Sequence, residues 1–98
     1  MERNVMEVQE FDDIFDAIED TPQAAANMRA RADLIRAISA RVGSWRVTQK
    51  DAAARLGVTR PRLNDLLRGK LGKFSLDALV NLATSAGLVL QINTSEAA

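Results

Sequence analysis

The sequence predicts an all-α fold that ends in one short β-strand. Apolar residues recur at helical spacing through most of the chain, and threonine, serine, proline and glycine stand where such helices would begin and end. Hydrophobic residues make up 47% of the 98 residues, aromatic residues only 4%, and alanine is abundant. This composition favours small, closely packed helices in one domain with a single modest core.

Residues 1–21 are predicted to be an acidic N-terminal arm. Between residues 5 and 20 the chain carries seven carboxylates and no lysine or arginine, a net charge of −7. Apolar residues recur at helical spacing within this stretch, at Val8, Phe11, Ile14, Phe15 and Ile18. They predict an amphipathic helix of about three turns, which is marginal unless it docks on another surface.

A long helix should open the main domain, which is predicted over residues 22–93. Thr21 can cap this helix, and Pro22 suits its first position, where no backbone hydrogen bond is lost. The apolar stripe continues to Val42, and Gly43 then predicts the end of the helix.

Residues 48–68 predict two short helices joined by a tight turn. Thr48 can cap the first helix, and Gly57 supplies the left-handed conformation that turns the chain. Thr59 can cap the second helix, with Pro61 in its first turn. This arrangement is a helix-turn-helix, whose second helix enters the major groove of DNA, so the sequence predicts sequence-specific DNA binding.

The C-terminal part predicts one more helix and then a strand. Ser75 can cap the helix, and Gly87 ends it. Residues 88–93 are short and β-prone, and a lone strand needs a partner. The same strand of a second copy would provide one in a symmetric dimer, although an extended tail packed on the body is the alternative. Residues 94–98 are predicted to be disordered. The dimerisation residues would be Leu88, Val89, Leu90, Gln91 and Ile92.

The formal net charge of zero conceals a separation of charge along the chain. Residues 29–73 hold twelve lysines and arginines against three aspartates, a net charge of +9, whereas the acidic arm is strongly negative. The basic segment favours contact with nucleic acid, and the arm favours a separate partner or autoinhibition.

The second helix of the motif carries the candidates for reading bases. An arginine at position 60 or 62 can bond guanine O6 and N7 together, Asn64 suits adenine, and Asp65 can accept from cytosine N4. Pro61 can contact a thymine methyl group. Leucines on the opposite face, Leu63, Leu66 and Leu67, should be core, as should Trp45 and Phe74. The full set of base-contacting candidates is Thr59, Arg60, Pro61, Arg62, Asn64 and Asp65.

Phosphate contacts require only hydrogen-bond donors and positive charge. Gln49 opens the first helix of the motif, where backbone N–H groups can also meet a phosphate. Each basic residue taken alone could be a solvated surface charge, but their clustering around the motif favours DNA. The candidates are Arg46, Gln49, Lys50, Arg68, Lys70 and Lys73.

Composition argues against several other classes of protein. The chain has no cysteine and no histidine, which leaves no disulfide, no thiolate nucleophile and none of the usual zinc sites. No catalytic motif, metal site or cofactor site is recognisable, so we expect no enzymatic activity and no cofactor. No apolar run of about 18 residues is present, and we expect a cytoplasmic protein without a membrane partner.

At these residues the chain resembles the phage-repressor and Cro-like helix-turn-helix family, known as XRE. The matching residues are Thr48, Gln49, Ala53, Leu56, Gly57, Val58, Leu63, Leu66, Arg68 and Gly69. Within that family it is most similar to the HigA-type antitoxins of bacterial type II toxin–antitoxin systems. That similarity rests on the stretches TRPRLNDLLRGK, FSLDALVNL and AGLVLQI, and on the lead-in FDDIF…TP.

The resemblance implies a lambda-repressor-like, five-helix domain that binds palindromic operators as a homodimer and represses its own operon. It also implies neutralisation of a small mRNA-cleaving toxin, and the acidic arm, with Phe11, Phe15 and Ile18, is the natural candidate to engage such a basic RNase. The glutamine usual at the second position of the recognition helix is Arg60 here, so the preferred operator should differ. The alternatives are a stand-alone regulator without a toxin and an interaction module that does not bind DNA.

Overall fold

The computed structural model describes residues 21–97, and this part of the chain is helical. A short 3-10 helix, Leu71–Lys73, separates the last two of its α-helices, and no strand occurs among the described residues. The all-α class is confirmed. The fifth α-helix is not found in residues 21–97, and the helix predicted in the acidic arm lies outside the described residues. The α-helices are α1, Pro22–Trp45; α2, Gln49–Leu56; α3, Arg60–Leu67; and α4, Leu76–Ser85.

Helix α1 begins where the sequence predicts but ends later. The Thr21 hydroxyl accepts a hydrogen bond from the Ala24 amide at 3.0 Å. The end predicted at Gly43 is wrong, because the helix continues to Trp45 and only Arg46 leaves it, with a left-handed φ of 56°. An interior glycine costs a helix only about 1 kcal/mol. The half-buried Trp45, two residues further on, packs against the core, which favours the longer helix.

The caps predicted for the helix-turn-helix are confirmed. The Thr48 hydroxyl accepts from the Asp51 amide at 3.1 Å, and the Thr59 hydroxyl accepts from the Arg62 amide at 3.2 Å. Gly57 adopts the left-handed conformation, with φ of 74°, and ends α2. Both short helices therefore begin and end at residues that encode those boundaries locally.

Helix α4 is capped at its start by Ser75, whose hydroxyl accepts from the Ala78 amide at 3.1 Å. At its other end Gly87 is left-handed, with φ of 84°. The Arg41 side chain reaches over from α1, and its Nε donates to the Ala86 carbonyl at 2.9 Å. This bond satisfies a carbonyl at the C-terminal end of the helix and fastens α4 to α1.

The core lies where α1 packs on α4 and α2 packs on α3. Phe74 is buried as predicted. The prediction that Leu67 is a core residue is wrong, since 37% of its surface is exposed. Leu67 is the last residue of α3. It lies at the edge of the helix face whose central residues, Leu63 and Leu66, are buried in the core. The side chains most deeply buried are Ile38, Leu63, Leu66 and Leu79.

The chain after Gly87 has neither helix nor strand in residues 88–97. Leu88 packs against the core, whereas Val89 is 84% and Ile92 is 74% exposed. The segment forms one side of an open cavity of about 610 Å³, opposite α1 and α4. Its pairing with a second copy stays a prediction, as does disorder beyond residue 93. None of the helices described is long and apolar enough to cross a membrane.

Candidate nucleic-acid interface

The first turn of α3 presents the most accessible candidates for reading bases. Thr59, Arg60 and Pro61 are exposed, and Asn64 follows Arg60 by one helical turn and is half-buried. Within residues 21–97 the side chains of Arg60 and Asn64 make no hydrogen bond or ion pair to another residue. The side chains of Arg60 and Pro61, in the first turn of α3, and of Asn64, one turn further on, can therefore face a base pair without first breaking a contact in the described fold.

The second arginine of this turn is used differently. Arg62 is half-buried, and its Nη1 donates to the Lys73 carbonyl at 2.7 Å. Its guanidinium carbon lies 4.1 Å from the centre of the Phe74 ring, within the range of a cation–π contact. The sequence pattern places Arg60 and Arg62 in one class, but the structure directs only Arg60 outward.

Asp65 and Lys70, one predicted to contact a base and the other a phosphate, lie together. The Lys70 Nζ is 3.5 Å from the Asp65 carboxylate, and the Lys70 amide donates to the Asp65 carbonyl at 3.1 Å. The carboxylate is largely shielded from solvent, with 22% of the side chain exposed. The positive charge of Lys70 partly offsets the repulsion between the Asp65 carboxylate and the phosphates of DNA.

The remaining basic candidates form an exposed rim around the motif. Arg46 caps the end of α1, Lys50 lies in the first turn of α2, Arg68 caps the end of α3, and Lys73 ends the 3-10 helix. All four are exposed, and none forms an ion pair within residues 21–97. Gln49 is exposed at the first position of α2, beside backbone N–H groups that have no partner within the helix. Donors and positive charge are thus available for phosphates.

Sequence reasoning missed that a second arginine, besides Arg62, donates hydrogen bonds to the turn between α3 and α4. Arg31 of α1 donates from Nη1 to the Leu71 carbonyl at 2.9 Å and to the Phe74 carbonyl at 3.5 Å. Arg31 and these carbonyls are forty or more residues apart in sequence, so no local sequence pattern predicts the hydrogen bonds. Arg55 is likewise placed over the Trp45 ring, 5.0 Å from its centre.

The two other predicted sites stand apart from this surface. Phe11, Phe15 and Ile18, predicted to bind a toxin, lie outside the described residues. The segment predicted to dimerise, residues 88–92, is largely exposed and lies along α1 and α4. Its apolar side chains Val89, Leu90 and Ile92 are exposed.

Comparison with known proteins agrees with the geometry of the motif. The profile of the helix-turn-helix domain family matches residues 17–95, most of the chain. No curated protein matches the sequence. The match includes α1 to α4 and the segment after Gly87, and it leaves out most of the acidic arm. With two capped helices joined by a tight glycine turn and a family match over this length, the chain belongs to the helix-turn-helix domain family.

Proposed function

We propose that the protein is a sequence-specific DNA-binding repressor that inserts α3 into the major groove. The observation that carries this proposal is the exposed, capped start of α3, where Arg60 and Pro61 lie beside a rim of basic residues that form no ion pair within residues 21–97. The N-terminal residues of a recognition helix are those that contact base edges in helix-turn-helix proteins.

Base reading and phosphate binding fall to different residues in this proposal. Arg60 bonds guanine through O6 and N7, Asn64 bonds adenine through N6 and N7, and Pro61 contacts a thymine methyl group. The rim fixes the position of the protein on the backbone without reading sequence. The rim consists of Arg46, Lys50, Arg68 and Lys73, and Gln49 and the ion-paired Lys70 are further donors beside it.

The exposed C-terminal segment supports a homodimer on a palindromic operator. Val89 and Ile92 expose apolar surface, and the backbone of residues 88–93 forms no ladder with any other part of residues 21–97. Pairing this segment with the same segment of a second copy would satisfy its backbone and bury those side chains. A two-fold protein would then match two half-sites about one helical turn apart.

The acidic arm supports a further partner with a basic surface. Its net charge of −7 and its apolar residues at helical spacing suit an amphipathic helix that docks on a positive groove. We propose that this partner is an mRNA-cleaving toxin and that the protein is its antitoxin, which represses the operon of both. Deletion of residues 1–16 should abolish binding and neutralisation of such a toxin while DNA binding is kept. A stand-alone regulator of the same fold would have no such partner.

The first experiment is a titration of the full chain with duplexes from its own upstream region, at two salt concentrations. Saturable binding to one palindromic duplex, with two proteins per site, would support the repressor. Arg60→Ala should lose most of this selectivity. Arg36→Ala is the matched control, because Arg36 is an exposed arginine of α1 that pairs with Asp33. Equal binding to every duplex, or none, would refute sequence-specific DNA binding.

A further inference from the structure

We infer that Arg62 is a positioning residue, which fixes the 3-10 turn relative to the recognition helix and so sets the spacing between base contacts and phosphate contacts. The inference rests on the proposed DNA binding. It assigns Arg62 a role in selectivity without any contact between Arg62 and a base.

The first step is the geometry of Arg62 itself. Its side chain leaves α3 and reaches the far end of the turn, eleven residues on, where Nη1 donates to the Lys73 carbonyl at 2.7 Å. The same guanidinium stacks on Phe74, which is 3% exposed and anchored in the core. One planar group therefore makes a hydrogen bond and an aromatic contact at once, which an ammonium group cannot reproduce.

The second step is that the turn is held from two sides. Arg31 of α1 donates to the Leu71 and Phe74 carbonyls, and Arg62 of α3 donates to the carbonyl of Lys73, between them. Three of the four carbonyls from Leu71 to Phe74 thus accept from arginines of two different helices. A turn of three residues is thereby fixed to both the long helix and the recognition helix.

The third step connects the turn to DNA. Lys70 and Lys73 lie immediately before and at the end of the 3-10 helix, and both are exposed. Arg60, proposed to read a base, precedes Arg62 by two residues on the same helix. The bond from Arg62 therefore ties Lys73, which would hold a phosphate, to the helix that would read bases, and Lys70 is tied to that helix through Asp65. If the bond is lost, the charge of Lys73 remains, but its distance from the bases is fixed less firmly.

The test compares Arg62→Lys, Phe74→Leu and the double variant, each checked for folding by circular dichroism and thermal melting. The probes are a duplex selected by the wild-type protein from a random-sequence pool and an unselected random duplex. Arg55→Lys is the matched control, since it alters the other arginine–aromatic contact, with Trp45, but not the turn. Affinity is measured well below the melting temperature and at several salt concentrations.

We expect Arg62→Lys to weaken binding to the selected duplex about tenfold, with much less effect on the random duplex. Phe74→Leu should do the same although Phe74 is buried, and the double variant should lose no more than either alone. Arg55→Lys should bind as wild type does. The slope of log affinity against log salt should stay unchanged, because no phosphate contact is removed.

Several results would overturn the inference. Wild-type selectivity in Arg62→Lys would show that charge alone is sufficient, and additive losses in the double variant would show that Arg62 acts independently of Phe74. A shallower salt slope in Arg62→Lys would make Arg62 a phosphate contact. If the wild-type protein selects no duplex, the proposed function fails and the inference with it. If the wild-type protein selects one and Arg62→Lys keeps the selectivity, the inference alone fails.

Discussion

Replacing Arg46 by glycine should make the protein more stable and a weaker DNA binder. Arg46 ends α1 in the left-handed conformation, with φ of 56° and ψ of 44°, and it is the only residue besides glycine with positive φ in residues 21–97. Its exposed side chain makes no hydrogen bond or ion pair within those residues. Arg46 is also a member of the proposed phosphate-binding rim.

The magnitude follows from two opposing terms. The left-handed conformation costs a residue with a Cβ roughly 1–2 kcal/mol, and glycine removes that strain. Glycine adds about 0.5–1 kcal/mol of conformational entropy cost on folding. The net gain in the free energy of unfolding should be about 0.5–1 kcal/mol, which corresponds to roughly 2–8 °C in the melting temperature of a domain of this size.

Thermal melting would test the predicted gain in stability, and a salt titration of DNA binding would test the predicted loss of a phosphate contact, in the same set of proteins. Arg46→Ala is the matched control, because it removes the same charge but keeps the strained backbone. Both variants should reduce the magnitude of the salt slope by about 1, and only the glycine variant should melt at a higher temperature. A melting temperature that rises equally in both variants, or falls with glycine, would refute the strain argument. An unchanged slope would remove Arg46 from the rim.

Three other outcomes are expected. Leu66→Ala should lower the free energy of unfolding by about 2–5 kcal/mol, because Leu66 is 1% exposed, whereas Leu67→Ala should cost far less; urea unfolding that gives equal losses would contradict the burial described. Arg60→Ala should weaken specific binding by roughly 1–3 kcal/mol and relax preference at one base position, and an equal loss on random DNA would make Arg60 a phosphate contact. Deletion of residues 87–98 should shift the proposed dimer towards monomer in sedimentation and weaken operator binding, and an unchanged profile would rule out the segment as a dimer element.

Much of the helix-turn-helix could be predicted because its boundaries are encoded within a few residues. A threonine whose hydroxyl reaches an amide three residues on, or a glycine in a left-handed turn, depends on local geometry alone. The end of α1 was mispredicted because a local signal, Gly43, conflicts with a tertiary one. The packing of Trp45 against the core favours a helix that ends two residues later than the glycine indicates.

The candidate site was less predictable because the roles of its arginines are decided by distant partners. Arg60 and Arg62 have the same residue type and flank the same proline, yet Arg62 finds a carbonyl and an aromatic ring beyond the end of its helix. A helical wheel places side chains on faces but contains no information on a turn that folds back. Asp65, predicted to accept from cytosine, is similarly paired with Lys70 by the same turn.

These contacts also reduce the number of basic residues in the segment 29–73 that are available to bind DNA phosphates. Of the twelve lysines and arginines in residues 29–73, half are engaged within the fold: Arg31, Arg41 and Arg62 with carbonyls, Arg55 with Trp45, Arg36 with Asp33, and Lys70 with Asp65.

The rim retains four exposed cations without an ion pair in the described residues: Arg46, Lys50, Arg68 and Lys73. At about 0.9 counterions released for each phosphate neutralised, log affinity should fall against log salt with a slope of about −4 for each protomer. If all twelve basic residues met phosphates, the slope would be about −11. A measured slope near that steeper value would mean that the internal contacts open on DNA, and that the arginines assigned here to the fold belong instead to the interface.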